Sequence, residues 1–303
     1  VALHIEKHDP LNANNPTYLA MEILEAGTGV GILNEGFNTG IPLREGEKYA
    51  FSVYARRQEC LERPVRIRLE STTGELYAEA EIVVSSDKWS KYEARLTASA
   101  TDTAARLVLL ADGTGTVYLD MVSLFPEQTF LGRPGGLRAD IAQLIAEMNP
   151  GFVRFPGGCL VHDGSLDPDA RDSMYRWKNT LGDVAERPTR RNNWNYNQTL
   201  GLGYYEYFRF CEDIGAKPLP VLPAAYDPHH DRAAPLDQLQ PWIDDALDLI
   251  EFARGEVTTR YGALRADLGH PEPFGLEYMA IGNEEVRPGY FERYPFFQDA
   301  IRA

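Results

Sequence analysis

The chain has few of the residues that make disulfides, metal sites or basic surfaces. Its cysteines are Cys60, Cys159 and Cys211, and an odd, widely spaced set predicts neither a disulfide framework nor a zinc motif. Lys and Arg number 30 against 45 Asp and Glu, which gives a net charge of −15. This excess of acid argues against nucleic acid and anionic membranes as partners and suits a neutral substrate. No apolar run approaches the roughly 20 residues that span a bilayer.

The remaining composition is that of an ordinary soluble globular protein. The 303 residues suffice for one large domain or two medium ones, with 44% apolar and 25% charged residues. Aromatic residues are plentiful, with 16 Tyr, 13 Phe and 4 Trp, which fits both sugar-stacking surfaces and large cores. The chain starts at Val1 without a Met or a signal-like segment. We therefore expect the natural N-terminus to be absent, and the sequence does not indicate the cellular compartment.

Up to Pro126 the apolar residues recur with period two. Tyr49, Phe51, Val53 and Ala55 alternate with mostly polar neighbours, and Val65–Glu70 repeats the pattern. Similar runs are 77–84, 92–98, 106–110 and 116–122, with turns at Thr73-Gly74 and Asp112-Gly113. Strands with one apolar and one solvent-exposed face predict an antiparallel β-sandwich over residues 1–126. We expect this sandwich to be a jelly roll.

From residue 127 to 303, strands and helices alternate. The predicted elements are helix 137–148, strand 152–155, helix 205–214 closed by Gly215, strand 218–222, helix 237–254 and strand 276–281. This order predicts a parallel sheet. A closed (β/α)8 TIM barrel needs eight strands and about 250 residues, so we expect a partial barrel of about three strands rather than an open sheet.

The last predicted strand leads directly into Asn283-Glu284. In a barrel, a polar residue at the carboxyl end of a strand points into the mouth. There an Asn can donate to a sugar hydroxyl, and a Glu can give and take a proton. The alternative is an ordinary strand end whose acids meet water.

Three other motifs could carry chemistry. Arg154-Phe-Pro-Gly-Gly-Cys159 could bring backbone close to a ligand and place Arg154 on an acid, or it is a tight turn with a structural ion pair. The loop motifs Tyr175–Asn179 and Asn192–Asn197 offer aromatic and amide groups to a sugar, or they pack on themselves. The motif Ala225–Asp231 is dense in His and Asp, but adjacent His side chains rarely converge on one ion. We therefore predict a polar loop at a pocket rim there rather than a metal site.

Together these motifs resemble glycoside hydrolase family 51, the α-L-arabinofuranosidases. The matching stretches are 152–160, 175–181, 194–215 and the strand that ends Gly282-Asn283-Glu284. Residues 18–124 resemble the carbohydrate-binding-like sandwich that some members insert into the barrel. The resemblance implies a retaining, exo-acting enzyme that releases terminal arabinofuranose from arabinose-containing oligo- or polysaccharides, without metal or cofactor. Homo-oligomers are common in the family.

The resemblance also assigns roles. Glu284 would be the general acid/base, and Asn283 would hold the 2-hydroxyl of the sugar. Arg154 matches the family Arg near the nucleophile, while Trp177 and Trp194 match aromatics that line the pocket. Cys159 takes the place where many members carry a sugar-binding Asn, a departure from the pattern.

Two elements of the family pattern are expected to lie outside the chain. They are the first barrel strand with its substrate-binding Glu and the strand that carries the nucleophile. Glu285 cannot replace the nucleophile, since neighbours on a strand point to opposite faces. We therefore expect the chain alone to be inactive. The alternatives are a carbohydrate-binding protein without catalysis and another retaining barrel glycosidase, such as a xylanase or galactanase.

Overall fold

The computed structural model describes residues 1–25, 27–58, 64–111, 113–173 and 175–303. The chain divides into two compact units, Val1–Leu144 and Ile145–Ala303. Cys60 and the Asp112 half of one predicted turn lie outside the described residues. Among the described residues, no helix has the length and apolar character required to cross a bilayer.

The first unit is built almost entirely from antiparallel strands. These are β1 (Ala2–Glu6), β2 (Tyr18–Ile23), β3 (Gly31–Asn34), β4 (Ile41–Leu43), β5 (Lys48–Gln58), β6 (Val65–Glu70), β7 (Leu76–Ile82), β8 (Ser90–Thr97), β9 (Asp102–Ala111) and β10 (Gly115–Pro126). One sheet has the order β1-β2-β10-β5-β8, and the other has the order β3-β9-β6-β7 with β4 also paired to β9. Residues of both sheets contribute to one hydrophobic core.

The period-two pattern explains this core. In β5, Tyr49, Phe51, Val53 and Ala55 are all buried, and in β6 the alternate apolar residues are likewise buried, as predicted. The polar residues between them lie on the other face, where the Arg68 guanidinium pairs with Glu79 on the neighbouring strand. The predicted turn after β6 is present, and Gly74 adopts a φ of 88° and donates to the Ser71 carbonyl.

Helix α1 (Ala139–Glu147) is one turn shorter than the predicted helix 137–148. In this helix Ala142 is buried, whereas Ile141, Leu144 and Met148 are exposed.

The second unit combines short strands and helices. Its strands are β11 (Phe152–Phe155), β12 (Arg190–Arg191), β13 (Asn197–Gln198), β14 (Lys217–Leu222), β15 (Tyr226–Asp227), β16 (Arg232–Ala233) and β17 (Ala280–Ile281). Its α-helices are α2 (Tyr204–Asp213), α3 (Gln240–Arg254), α4 (Arg260–Asp267) and α5 (Pro288–Arg302). The described 3₁₀ turns of the chain are Phe130–Gly132, Cys159–His162, Pro168–Ser173, Trp177–Thr180, Val184–Glu186 and Leu236–Gln238.

A parallel sheet of order β11-β14-β17 organises this unit. Strands β11 and β14 and helices α2 and α3 lie where the sequence predicted them within a few residues. Gly215 follows α2 with a φ of 69°, which is the left-handed conformation of a helix end. Cys211 is fully buried on α2. Helices α4 and α5 were not predicted.

Strand β17 is much shorter than the predicted strand 276–281. Only Ala280 and Ile281 pair with β14, at Val221 and Leu222. The side of β14 that faces β17 carries Pro218 and Pro220 before Leu222. Because proline has no N–H to donate, the first part of β14 cannot extend the ladder toward β17. The residues before Ala280 therefore remain irregular.

Candidate active site

Arg154 reaches from the end of β11 across the middle strand to the end of β17. Its Nη2 donates to Asn283 Oδ1 at 2.7 Å. The turn that follows makes room for this side chain, since a Cβ on Gly157 would lie 2.6 Å from Arg154 Nη1, and Gly157 also has a φ of 71°. Glycine is therefore required at position 157 for two reasons: a side chain would collide with Arg154, and the backbone has a positive φ. Arg154 holds an amide rather than the carboxylate that the sequence suggested.

Asn283 is buried, and its amide orientation is fixed by Arg154. A guanidinium can only donate hydrogen bonds, so the amide oxygen must face it. Asn283 Nδ2 then points toward Glu284 Oε2, at 3.4 Å. This long contact leaves the amide N–H groups able to donate to another acceptor.

Glu284 turns away from the strand that precedes it. Its φ is 57°, a conformation that residues other than glycine seldom adopt and that clusters at functional sites. The side chain is exposed, and its Oε2 accepts from Cys159 Sγ at 3.5 Å. The backbone thus directs one carboxylate toward the residue that follows the Pro-Gly-Gly turn of β11.

Cys159 is half-buried beside this carboxylate. Burial, together with the hydrogen bond to Glu284, raises the pKa of the Cys159 thiol above its ordinary value. The thiol therefore stays protonated near neutral pH and acts as the donor in this contact.

Trp194 presents an aromatic face next to Cys159. Its ring is 47% exposed and lies over Gly158, where a Cβ would be 3.5 Å from Trp194 Cη2. It stacks on Tyr196 with an interplanar angle of 12°. The turn is held by Asn192, whose Oδ1 accepts from the backbone N–H groups of both aromatic residues.

Trp177 does not join this group. It is 1% exposed and packs against Phe252 and Tyr261 in the core of the second unit. Its Nε1 donates to the backbone carbonyl of Asp245. The predicted sugar-binding surface at Trp177 is therefore absent from this structure, and Trp177 serves as a core residue.

The charged residues around Trp177 are also structural. Arg176 and Lys178 both pair with the buried Asp245 on α3, and so does Arg171. These pairs lower the pKa of the Asp245 carboxyl against the opposing effect of burial. The motif Tyr175–Asn179, predicted as a sugar-contacting or self-packed loop, is anchored to α3 by this ionic cluster.

Glu285 points into the protein, opposite to Glu284, as the sequence predicted. It is 5% exposed, and its Oε1 accepts from the Asn283 N–H at 3.2 Å. Burial raises the pKa of Glu285 to about 8. It cannot face the same substrate atom as Glu284.

The hairpin β15–β16 carries the adjacent histidines, and the two rings diverge. Asp227 accepts from the backbone N–H groups of His229 and His230, and its Oδ2 also pairs with His230 Nδ1 and Arg232. Although burial opposes it, these partners lower the pKa of Asp227 to about 2. His229 instead lies beside His162, with ring centroids 5.1 Å apart. Sequence reasoning missed His162, which carries no motif of its own.

Comparison with known proteins decides the family. The α-L-arabinofuranosidase 1 domain matches residues 144–303, which is more than half of the chain. The chain belongs to glycoside hydrolase family 51. A carbohydrate-binding domain family matches residues 32–114.

Relatives of this family-51 chain include an extracellular exo-α-L-arabinofuranosidase of Streptomyces chartreusis, 44% identical over 97% of this chain and 35% of that protein. The α-L-arabinofuranosidase 1 of Arabidopsis thaliana is 38% identical over 90% of this chain and 40% of that protein. An arabinose-bound family-51 α-L-arabinofuranosidase has a similar structure, with a TM-score of 0.87 and 31% identity over 100% of this chain and 49% of the other. The chain thus spans between a third and a half of the length of these relatives.

Proposed function

We propose that the protein is a retaining, exo-acting α-L-arabinofuranosidase that acts on arabinose-containing glycans. The observation that carries the proposal is the connection of Arg154, Asn283, Glu284 and Cys159 at the carboxyl ends of β11 and β17. Parallel strands bring their carboxyl ends to one edge, where enzymes of this architecture hold their active sites. The family relationship supports the choice of arabinofuranose.

In this proposal Glu284 is the general acid/base. It protonates the departing glycosidic oxygen and later takes a proton from water, while a second carboxylate forms the covalent glycosyl-enzyme. In retaining enzymes the two carboxyl groups lie about 5–5.5 Å apart. Glu285 is not the second carboxylate, since it is buried and bonded to the Asn283 backbone.

The remaining site residues position the sugar. Asn283 Nδ2 donates to the 2-hydroxyl, since Arg154 occupies its oxygen. Cys159 offers a thiol donor where other members carry an amide, and the exposed face of Trp194 packs against sugar C–H groups. Trp177 is left out of the proposed site because it lies in the core.

We also propose the finer architecture that the sequence indicated. Residues 1–126 would form a jelly-roll sandwich, and 127–303 would form part of a (β/α)8 barrel. The two antiparallel sheets around one core support the first, and the parallel sheet β11-β14-β17 with intervening helices supports the second. The match of a carbohydrate-binding family to residues 32–114 makes glycan binding by the first unit a second candidate function.

The activity test is hydrolysis of an aryl α-L-arabinofuranoside by the protein in its full natural length. Aryl β-xylosides and β-galactosides serve as comparison substrates, and faster turnover of either would favour a xylanase or galactanase. Glu284→Ala should abolish turnover of substrates with poor leaving groups. With a good leaving group, added azide should restore the rate and yield a glycosyl azide, because the anion needs no general base. Failure of azide to restore the rate would refute the role of Glu284.

Glycan binding by the first unit is tested separately. Calorimetric titration of residues 1–126 with arabino-oligosaccharides should show saturable binding if the sandwich recognises glycan. If the full-length protein hydrolyses arabinofuranosides but residues 1–126 give no heat of binding, the enzymatic proposal stands and glycan binding by the first unit is refuted.

A further inference from the structure

A buried histidine beside the proposed acid/base residue has no evident role in glycoside hydrolysis. His162 is 3% exposed, and neither of its ring nitrogens makes a hydrogen bond. Leaving a buried polar group unsatisfied is costly, so such a group calls for an explanation. An imidazole can present a nitrogen lone pair to a ligand.

The local backbone places Cys159 on the same side as His162. The two residues begin and end the 3₁₀ turn Cys159–His162. In a 3₁₀ helix, residues three apart lie almost directly above one another. The thiol and the imidazole therefore face one space.

His229 approaches this space from the hairpin β15–β16. Its backbone N–H is held by Asp227, while its side chain is exposed. The ligand atoms of Cys159, His162 and His229 all lie within 4.8 Å of one another. Around a tetrahedral Zn²⁺, bond lengths of 2.0–2.3 Å separate ligand atoms by about 3.3–3.8 Å. Rotation of the exposed His229 side chain, by roughly 1 Å at its ring, would close this gap.

A carboxylate lies beside one of these three residues. Glu284 Oε2 lies 3.5 Å from Cys159 Sγ. One thiolate, two imidazoles and a carboxylate form a donor set that Zn²⁺ and similar ions accept in proteins.

We propose that Cys159, His162 and His229 form a binding site for a thiophilic divalent cation of the Zn²⁺ class, with Glu284 as the fourth ligand. On binding, the Sγ proton leaves to solvent, and the ion takes its place between the sulfur and the carboxylate. The ion is not a cofactor of hydrolysis. If the proposed function holds, it inhibits the enzyme, because a coordinated Glu284 can no longer carry a proton to the glycosidic oxygen.

Cobalt(II) is a suitable probe, since a thiolate bound to Co²⁺ gives a charge-transfer absorption band in the near ultraviolet. The wild-type protein should bind one Co²⁺ with this band, and Zn²⁺ should displace it. Cys159→Ser should abolish the band. His229→Ala should weaken binding at least about tenfold, because even the loss of a residue that only supports a ligand has such an effect. His229 is exposed, so this variant should fold.

The matched control is the adjacent histidine. His230→Ala removes a ring that pairs with Asp227 and should leave the affinity for Co²⁺ unchanged. The proposal is overturned if the band survives Cys159→Ser, if Cys60→Ser removes it instead, or if His230→Ala weakens binding as much as His229→Ala. Binding is measured without substrate, so failure of this site and failure of the arabinofuranosidase proposal remain distinguishable. Zn²⁺ should also inhibit hydrolysis by wild type and His230→Ala but not by His229→Ala.

Discussion

Replacing Glu285 with Gln should stabilise the protein in alkaline solution. Glu285 is buried, and its Oε2 has no hydrogen-bond partner. Burial raises the pKa of its carboxyl from 4.5 to about 8 in the folded protein. The amide of Gln resembles the protonated acid in shape and can still accept from the Asn283 N–H.

The sign of the effect follows from this shift. Below about pH 4.5 the carboxyl is protonated in both the folded and the unfolded chain, and its ionisation imposes no penalty. As the pH rises toward 8, the unfolded chain ionises but the folded protein resists, so the wild type loses stability. At about 1.4 kcal/mol for each pH unit, the full penalty is roughly 5 kcal/mol, and relaxation around the charge lowers the expected value to roughly 2–5 kcal/mol.

Denaturant unfolding followed by tryptophan fluorescence measures this difference. The free energy of unfolding of Glu285→Gln should exceed that of wild type by about 2–5 kcal/mol near pH 9, and the gain should shrink toward zero near pH 5. The control Glu256→Gln removes an exposed carboxyl of the same unit and should not reproduce the pH-dependent gain. A difference between Glu285→Gln and wild type that is the same at both pH values would refute the reasoning.

Three further pairs of substitutions separate structural from functional residues. Asp245→Asn removes the charge that balances the buried Arg171 and should destabilise the protein by about 3–5 kcal/mol in denaturant unfolding, whereas Asp248→Asn, whose partner is Lys178, should lose no more than about 1 kcal/mol. Gly157→Ala should displace the Arg154 guanidinium and lower kcat/KM by about 10²-fold; Gly182→Ala, which shares a positive φ but faces open space, should keep its activity, and equal losses would contradict the argument. Trp194→Ala should raise KM with little change in melting temperature. Trp177→Ala should instead lower the free energy of unfolding by about 3–5 kcal/mol. The reverse outcome would support Trp177 as a sugar contact.

The strands and helices with strong local patterns could be predicted from sequence. The alternation in β5 and β6 requires one buried face, and the apolar stripe of α2 followed by Gly215 defines both the helix and its end. The prediction failed for β17 because its length depends on the partner strand, where Pro218 and Pro220 remove donors. Such a limit is not visible within residues 276–281 themselves.

The candidate site was predictable in part for a similar reason. Asn283 and Glu284 follow a strand, and a polar strand end in a barrel predicts a site. The burial of Trp177 could not be predicted from its own motif. It depends on the contact between Trp177 Nε1 and the carbonyl of Asp245, about 70 residues further along the chain. The approach of His162 to His229 likewise depends on a 3₁₀ turn and a hairpin that only the folded chain brings together.

The bridge from Arg154 to Asn283 has a consequence for sheet alignment. It joins the two outer strands of the parallel sheet without involving side chains of the strand between them. A slip of either outer strand by one residue would shift its end by about 3.3 Å, more than a hydrogen bond can tolerate. The bridge therefore requires the observed register of all three strands, and the Asn283 amide is oriented only in a correctly assembled sheet.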